Sequence, residues 1–314
     1  MKILITGIHG FVGTNLTKAL MTGHTLYGLD LLAPEKEGVS KTYDWANLED
    51  DALPAVDVII HLAGKAHDTK NKSESQVYFE VNTGLTRKIY DYFRTSSAKK
   101  FIFFSSVKAV ADSVKGPVLT EEAVPAPLGP YGESKLLAEY YIREHWPGQE
   151  SGQSVYILRP CMIHGPGNKG NLNLLYQLVS MNLPWPLGVY ANERSFLSIG
   201  NLAYVIGRLV NEPIQAGVYQ VADDEPLSTN ELIRLIAQSQ GQKAKIWHLP
   251  KWMLGGLARV GGWLHFPLNP ARLRKLTENY VVSNARIKQA LGIAKMPVPA
   301  RDGLTETLKS FEEA

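Results

Sequence analysis

A single cysteine, Cys161, among 314 residues has no partner within the chain, which excludes a disulfide framework and suits a reducing compartment. We expect its thiol to be a small buried apolar group. Long apolar runs are missing too. The nearest approach, Trp252 to Leu264, is interrupted by Arg259 and four glycines, and it falls short of the roughly 20 apolar residues a membrane span requires. A helix packed on a smaller lobe is expected there instead. Neither sign of charge dominates: 33 Lys and Arg against 30 Asp and Glu leave a net charge of +3, too little to imply nucleic acid or a membrane surface as partner. Any preference for anions should be local, from a few cations in a cleft. No repeat or low-complexity tract is visible, and no metal is expected. The chain opens directly on a strand pattern, with no room ahead of it for a signal peptide, so a cytoplasmic location is the expectation.

What is present begins with the first thirteen residues. Lys2 to Thr6 reads as a buried parallel strand, and Gly7-Ile8-His9-Gly10-Phe11-Val12-Gly13 turns it into a helix. Gly7 permits the tight turn, Gly10 lets backbone approach a pyrophosphate, and Gly13 allows close packing of helix on strand. The helix N-terminus offers oriented N–H donors to an anion. A second strand, Thr25 to Leu29, ends in Asp30, about twenty residues beyond the glycines, where a dinucleotide fold places the acid that holds the adenine ribose. A 2′-phosphate would meet that carboxylate, so NAD is favoured over NADP.

Farther along, Thr42 to Trp45 reads as a strand end flanking the adenine, where Asp44 and Trp45 either touch that ring or serve as a cap and a packing residue. Val56 to Gly64 is a buried strand whose carboxyl end faces the ligand crevice of open α/β sheets, and His61 within it is expected to be a satisfied core histidine. Val77 to Phe93 has helical spacing and carries Asn82. Phe101 to Phe104 is an apolar strand running into Ser105-Ser106. A proline-rich loop, Pro117 to Pro130, precedes a helix expected to start at about Tyr131. Val155 to Leu158 reads as a sixth strand. Beyond Gly165-Pro166-Gly167 the alternation loosens, and Ser228 to Glu231 has the spacing of a capping box. The expected class is α/β: a Rossmann-like, doubly wound parallel sheet over residues 1–165, and a smaller substrate-binding lobe over 166–314 with segments returning to the main domain.

Tyr131 and Lys135 lie four residues apart at a helix start, so their side chains share one face. A tyrosine of pKa ~10 is a poor base at neutral pH, and bringing it to ~7 takes roughly 4 kcal/mol, which a neighbouring ammonium and a nicotinium ring would both supply. Ser106, at the end of its strand, can hydrogen-bond the same substrate oxygen.

These pieces resemble the extended short-chain dehydrogenase/reductase family, in its nucleotide-sugar epimerase and reductase branch. The resemblance rests on Thr6-Gly7 through Gly13, Asp30, His61-Leu62-Ala63, Val81-Asn82, Phe104-Ser105-Ser106, Tyr131 through Lys135, Leu158-Arg159-Pro160 with Gly165-Pro166, and Asn192 through Phe196. It implies a tetrad of Asn82, Ser106, Tyr131 and Lys135, with Tyr131 as base. It also implies NAD contacts from the glycine turn (Gly7, His9, Gly10, Phe11, Val12, Gly13), Asp30, Asp44 and Trp45. Leu62, Ala63, Gly64, Tyr131, Lys135 and Pro160 would complete that cofactor site. A nucleotide-sugar substrate would be met by Ser106, by Asn171 and Leu172, and by a diphosphate clamp of Arg194 with Arg272 or Arg274, whose guanidinium forks suit phosphate oxygens. A homodimer built on the helices around 77–93 and 131–145 is a further expectation of the resemblance.

The chain departs from that pattern at Ala109-Val110-Ala111, where relatives read Val-Tyr-Gly, and at His164, where a tyrosine is usual; both changes are expected to alter the pocket near the sugar. Val107 and Lys108 stand where sugar dehydratases carry an Asp-Glu pair, which disfavours 4,6-dehydration. The leading expectation is an NAD-dependent UDP-hexose or UDP-N-acetylhexosamine 4-epimerase. The alternatives are a 4-reductase of a 4-keto-6-deoxy nucleotide sugar and, in a different class, a non-catalytic NAD-binding redox sensor.

Overall fold

The computed structural model describes residues 1–50, 52–66, 74–146, 148, 151–168, 170–263 and 270–312. Six strands arise before residue 161: β1 (Lys2–Thr6), β2 (Thr25–Asp30), β3 (Lys41–Asp44), β4 (Val58–His61), β5 (Lys100–Phe104) and β6 (Ser154–Pro160). Two short strands, β7 (Met162–His164) and β8 (Phe196–Ser198), pair with each other, and β9 (Gly217–Val221) returns to the main sheet. That sheet has the order β3-β2-β1-β4-β5-β6-β9, and every pairing is parallel. The order reverses between β1 and β4, so their carboxyl ends open the crevice in which such folds bind ligands.

The apolar strands follow from burial on both faces. Ile3 and Ile5 belong to one core cluster and Leu4 between them to another; Phe101 and Phe103 lie opposite Ile102, and Tyr156 and Leu158 opposite Val155 and Ile157. This two-residue alternation sends successive side chains to opposite faces. One face is covered by α1 (Phe11–Leu20), α7 (Ile199–Asn211) and α11 (Ala285–Leu291); the other by α4 (Leu85–Thr95) and α5 (Pro130–Glu144). The sheet is therefore doubly wound and Rossmann-like.

A third core cluster lies wholly beyond residue 171 and makes the smaller lobe, from α6 (Asn171–Ser180), α8 (Thr229–Ser239), α9 (Lys251–Trp263), α10 (Pro270–Thr277) and α12 (Ala300–Glu312). Residues 197–222 and 280–296 instead contribute Leu197, Leu202, Val221, Val282 and Ile287 to the main core. The Ser228/Glu231 capping box forms at the start of α8. Leu254 on α9 is buried in the lobe's core, and no helix among the described residues is long and apolar enough to cross a membrane.

Two elements differ in detail from the sequence pattern. The stretch expected as one helix over 77–93 is α3 (Ser75–Tyr78), a π-helical turn (Phe79–Gly84) and then α4. The apolar period survives the wider turn, so periodicity does not reveal it. Helix α5 begins one residue before the expected start, because Pro130 takes the first helical position, where its missing N–H costs nothing.

Candidate active site

The turn after β1 is held by its own backbone: Gly7 N donates to the Leu29 carbonyl (2.8 Å) and Gly10 N to the Gly7 carbonyl (3.0 Å). Gly7 has a φ of +68°, and a Cβ there would stand 2.9 Å from the Ala63 nitrogen; at Gly13 it would lie 2.4 Å from the Gly7 carbonyl oxygen. At Gly10 it would meet only that carbonyl, at 3.2 Å, so the outer side of the turn is open to a ligand. No side chain caps α1, which leaves its first N–H groups available to an anion. Asp30 accepts from His9 N (3.0 Å) and Leu31 N (2.8 Å), which fixes its carboxylate beside the turn. Phe11, Val12 and Leu62 are half-buried against the main core, and Pro160 closes β6.

Asp44 caps α2 (Trp45–Glu49) in a reciprocal box with Asn47, and Trp45 packs on the second core cluster. Those are their observed roles. His61 is fully buried between Thr6 (2.7 Å) and Thr86 (2.9 Å) and stacks on Phe103, and burial holds it well below the usual histidine range, so it stays neutral. This open glycine turn, a bare helix N-terminus and an anchored carboxylate fit the pyrophosphate and ribose of a dinucleotide.

Gly64, three residues past β4, ties the turn to the chemistry: a Cβ there would lie 2.9 Å from both Lys135 Nζ and Asn82 Oδ1. Asn82 sits in the π turn, a geometry frequent at functional sites. Its Oδ1 accepts from Lys65 N (2.8 Å), and its amide donates to Ser134 Oγ (3.0 Å) and the Lys65 carbonyl (3.2 Å). Ser106, two residues past β5, caps a 3₁₀ turn and accepts from Lys108 N (3.1 Å). The Tyr131 phenol is raised by burial, while its hydrogen bond with Ser106 pulls the other way and the Tyr78 ring beside it, packed edge-on, raises it further.

Lys135, expected to lower that phenol, lies one helical turn beyond it on α5. Its ammonium donates to the Phe104 carbonyl (2.9 Å), and burial brings it down to about 8, against the pull of Glu139. Ser106, through its hydrogen bond, favours the phenolate.

Behind this face lies a pair not picked out from sequence. Arg159, 1% exposed, grips the fully buried Glu139 carboxylate through Nε (2.9 Å) and Nη2 (2.5 Å), and Ser105 Oγ donates to the same carboxylate (2.5 Å). Glu139 is one helical turn beyond Lys135, and Arg159 stands inside the quoted Leu158-Arg159-Pro160 piece; a charged residue in each of two otherwise buried patterns is the available signal.

On the lobe side, Arg194 is half-buried and donates to the Lys275 carbonyl (2.7 Å). Lys108, following Ser106, is bonded to Asp112 and lies over the Tyr280 ring at 4.7 Å. Desolvation lowers its pKa, Asp112 opposes this, and Arg194 and Lys275 push it lower still, so three cations border one space. Arg274 is exposed near the end of α10; the side chains of Arg272 and Asn171 lie outside the described residues. Leu172 is buried in the lobe's core, so its backbone N–H, in the first turn of α6, is what it can offer a ligand.

The two departures expected to alter the sugar pocket are mostly buried residues. His164 is buried against Thr307 (2.9 Å) and near Asp223, while Ala109 and Val110 are in the protein interior. Ala111 is half-buried, and its carbonyl receives the Tyr280 hydroxyl (2.7 Å).

The chain matches the family described as NAD dependent epimerase/dehydratase over residues 3–222. It is 31% identical to the UDP-glucose 4-epimerase of Vibrio cholerae, an alignment covering 100% of this chain and 96% of that protein. It is also 31% identical to the N-acetyl-alpha-D-glucosaminyl-diphospho-ditrans,octacis-undecaprenol 4-epimerase of Escherichia coli O157:H7, covering 92% and 85% of the two chains. Among solved structures it is similar in fold to the Thermus thermophilus UDP-glucose 4-epimerase complex with NAD, with a TM-score of 0.75 at 22% identity over 100% of both chains.

Proposed function

The chain belongs to the NAD dependent epimerase/dehydratase family and is an enzyme that takes NAD, and from this we propose that it is a 4-epimerase of a diphosphate-linked hexose, with a UDP-hexose or UDP-N-acetylhexosamine as substrate. The observation that carries the reading is the Tyr131 phenol hydrogen-bonded to Ser106 above a buried Lys135, beside the glycine turn.

NAD, which the glycine turn and Asp30 would hold, would supply a reversible hydride acceptor for C4 of the sugar. Tyr131 takes the C4 hydroxyl proton and later gives it back, with Ser106 hydrogen-bonded to the same oxygen. Lys135 can swing from the Phe104 carbonyl to the nicotinamide ribose and the phenol, and Asn82 holds the 65-loop and Ser134 in place. Asp30 would accept the adenine ribose hydroxyls. Arg194, with Arg272 or Arg274, would hold the diphosphate in bidentate fashion, which leaves the 4-keto sugar free to turn over between the two hydride transfers. Val107 and Lys108 offer no acid-base pair for loss of water from C5 and C6.

Purified protein incubated with a panel of UDP-sugars should interconvert C4 epimers, read by proton NMR, with no net consumption of NADH. Stoichiometric oxidation of added NADH, with a ketosugar only, would establish the 4-reductase instead; binding of NADH without turnover across the panel would leave the redox sensor.

A further inference from the structure

Between Glu231 and Glu278 the chain has no acidic residue. Those 46 residues, 232–277, hold eight of the 33 Lys and Arg and none of the 30 Asp and Glu, so the rest of the chain, with 25 cations against 30 acids, is net negative. The small net charge of the whole conceals this division. Three of the six tryptophans fall in the same stretch.

The structure puts part of this segment on one exposed face. Residues 245–247 run along 185–188: Trp185 N donates to the Lys245 carbonyl (2.8 Å), Trp247 N to the Trp185 carbonyl (2.8 Å) and Gly188 N to the Trp247 carbonyl (3.0 Å). Alternation turns Ile246 toward the lobe's core and leaves Lys243, Lys245 and Trp247 outside, with Trp247 54% exposed. One turn later α9 begins with Lys251 and Trp252, which is 79% exposed, while Leu254 faces inward; Arg259, seven residues after Trp252 and so on the same side of the helix, is exposed as well. On the adjoining chain, Met181 and Leu183 are also exposed, at 69% and 52%.

Two indoles standing in solvent among four cations, in a stretch of sequence that carries no acid, are the composition of a surface that lies in the headgroup region of a membrane: aromatic rings at the interface, Lys and Arg stems reaching anionic headgroups. We infer that this face docks the enzyme peripherally on an anionic lipid bilayer. The face also runs into the substrate cleft. Lys251 lies over the Tyr190 ring at 5.3 Å, four residues before Arg194, and the acid-free stretch ends past Lys275, whose carbonyl receives Arg194. A docked enzyme would therefore present the cationic end of its cleft to the bilayer. The inference does not depend on the chemistry at C4.

The full chain is to be sedimented with large vesicles of phosphatidylcholine, with and without phosphatidylglycerol, at low and high salt. Co-sedimentation should require the anionic lipid, weaken with salt, and fall on the order of 100-fold in Lys243→Ser/Lys245→Ser/Lys251→Ser, from the loss of three cations near the surface. Trp247→Ser/Trp252→Ser should lose binding and the quenching of tryptophan fluorescence by brominated lipids, with far-UV circular dichroism and UDP-sugar turnover in solution unchanged. Absence of co-sedimentation at low salt would overturn the proposal. So would vesicle binding indifferent to the tryptophans, coupled with equal binding of a single-stranded oligonucleotide, which would make the face a general polyanion site.

Discussion

At the carboxyl end of the sheet, polar side chains are buried and partnered with one another: Asn82 with Ser134 and Lys65, Ser106 with Tyr131, Lys135 with a carbonyl, Arg159 with Glu139. Across the cleft, Lys108 of the main domain gathers with Arg194 and Lys275 of the lobe side, a wall in which cations outnumber the acids Asp112 and Glu278. A closed hydrogen-bond network fixes positions to a fraction of an ångström, which proton and hydride transfer demand. An excess of one charge waits for a ligand of the other sign. The two walls should therefore fail differently when altered, one in turnover and the other in affinity.

The sharpest division is expected from Tyr131→Phe. It removes only the phenolic oxygen, so kcat for C4 epimerisation should fall roughly 10²- to 10⁴-fold, while NAD binding followed by fluorescence and the melting temperature stay near wild type. A loss of less than a few-fold would sink the assignment of the base. Next in size is Glu139→Gln, which leaves Arg159 buried with no countercharge; urea unfolding should show a loss of about 3–5 kcal/mol. Replacing both partners by apolar residues, Glu139→Met/Arg159→Leu, should recover most of that stability. If it recovers stability and kcat together, the pair serves the fold alone.

The sheet end was legible in the sequence where the signal is local. Gly7 to Gly13 and Tyr131 with Lys135 are each short local patterns, and Asp30 follows the glycines at a set interval, so spacing reports them. Glu139 and Arg159 come from a helix and a strand and meet only in the fold, so no window contains both. The π turn at Asn82 inserts a residue without disturbing the apolar period, and β9 arrives in the sheet from beyond residue 200. His164, on a short strand, and Ala109 and Val110, in a 3₁₀ turn and its cap, lie near the site in sequence yet are buried, which spacing alone does not report. The cations of the lobe were visible in the composition, but a single net charge averages over them.

On the facing wall, Arg194→Ala should chiefly raise KM for the sugar diphosphate, by about 10- to 100-fold for the loss of a charged hydrogen-bonding group, with kcat changed little, because the diphosphate is held alike before and during reaction. A fall in kcat equal to the rise in KM would place Arg194 with the sheet end and erase the contrast between the two walls.

The smallest effect concerns Lys135, a buried cation of the sheet end. Its ammonium titrates at about 8 in the folded protein, against an ordinary 10.5, because burial penalises the charge. Below pH 8 the folded and unfolded chains both carry the proton and the penalty is present in full. Between about 8 and 10.5 the unfolded chain binds more protons than the folded one, so stability rises with pH in that window. Compared with Lys135→Met, which has nothing to titrate, cofactor-stripped wild-type protein should gain about 1 kcal/mol between pH 8 and pH 9 by urea unfolding. A pH-independent difference between the two proteins would mean that the ammonium is solvated in the folded state. In that case the sheet end would not be a closed network, and Lys135 would be free to act on the Tyr131 phenol before any cofactor arrives.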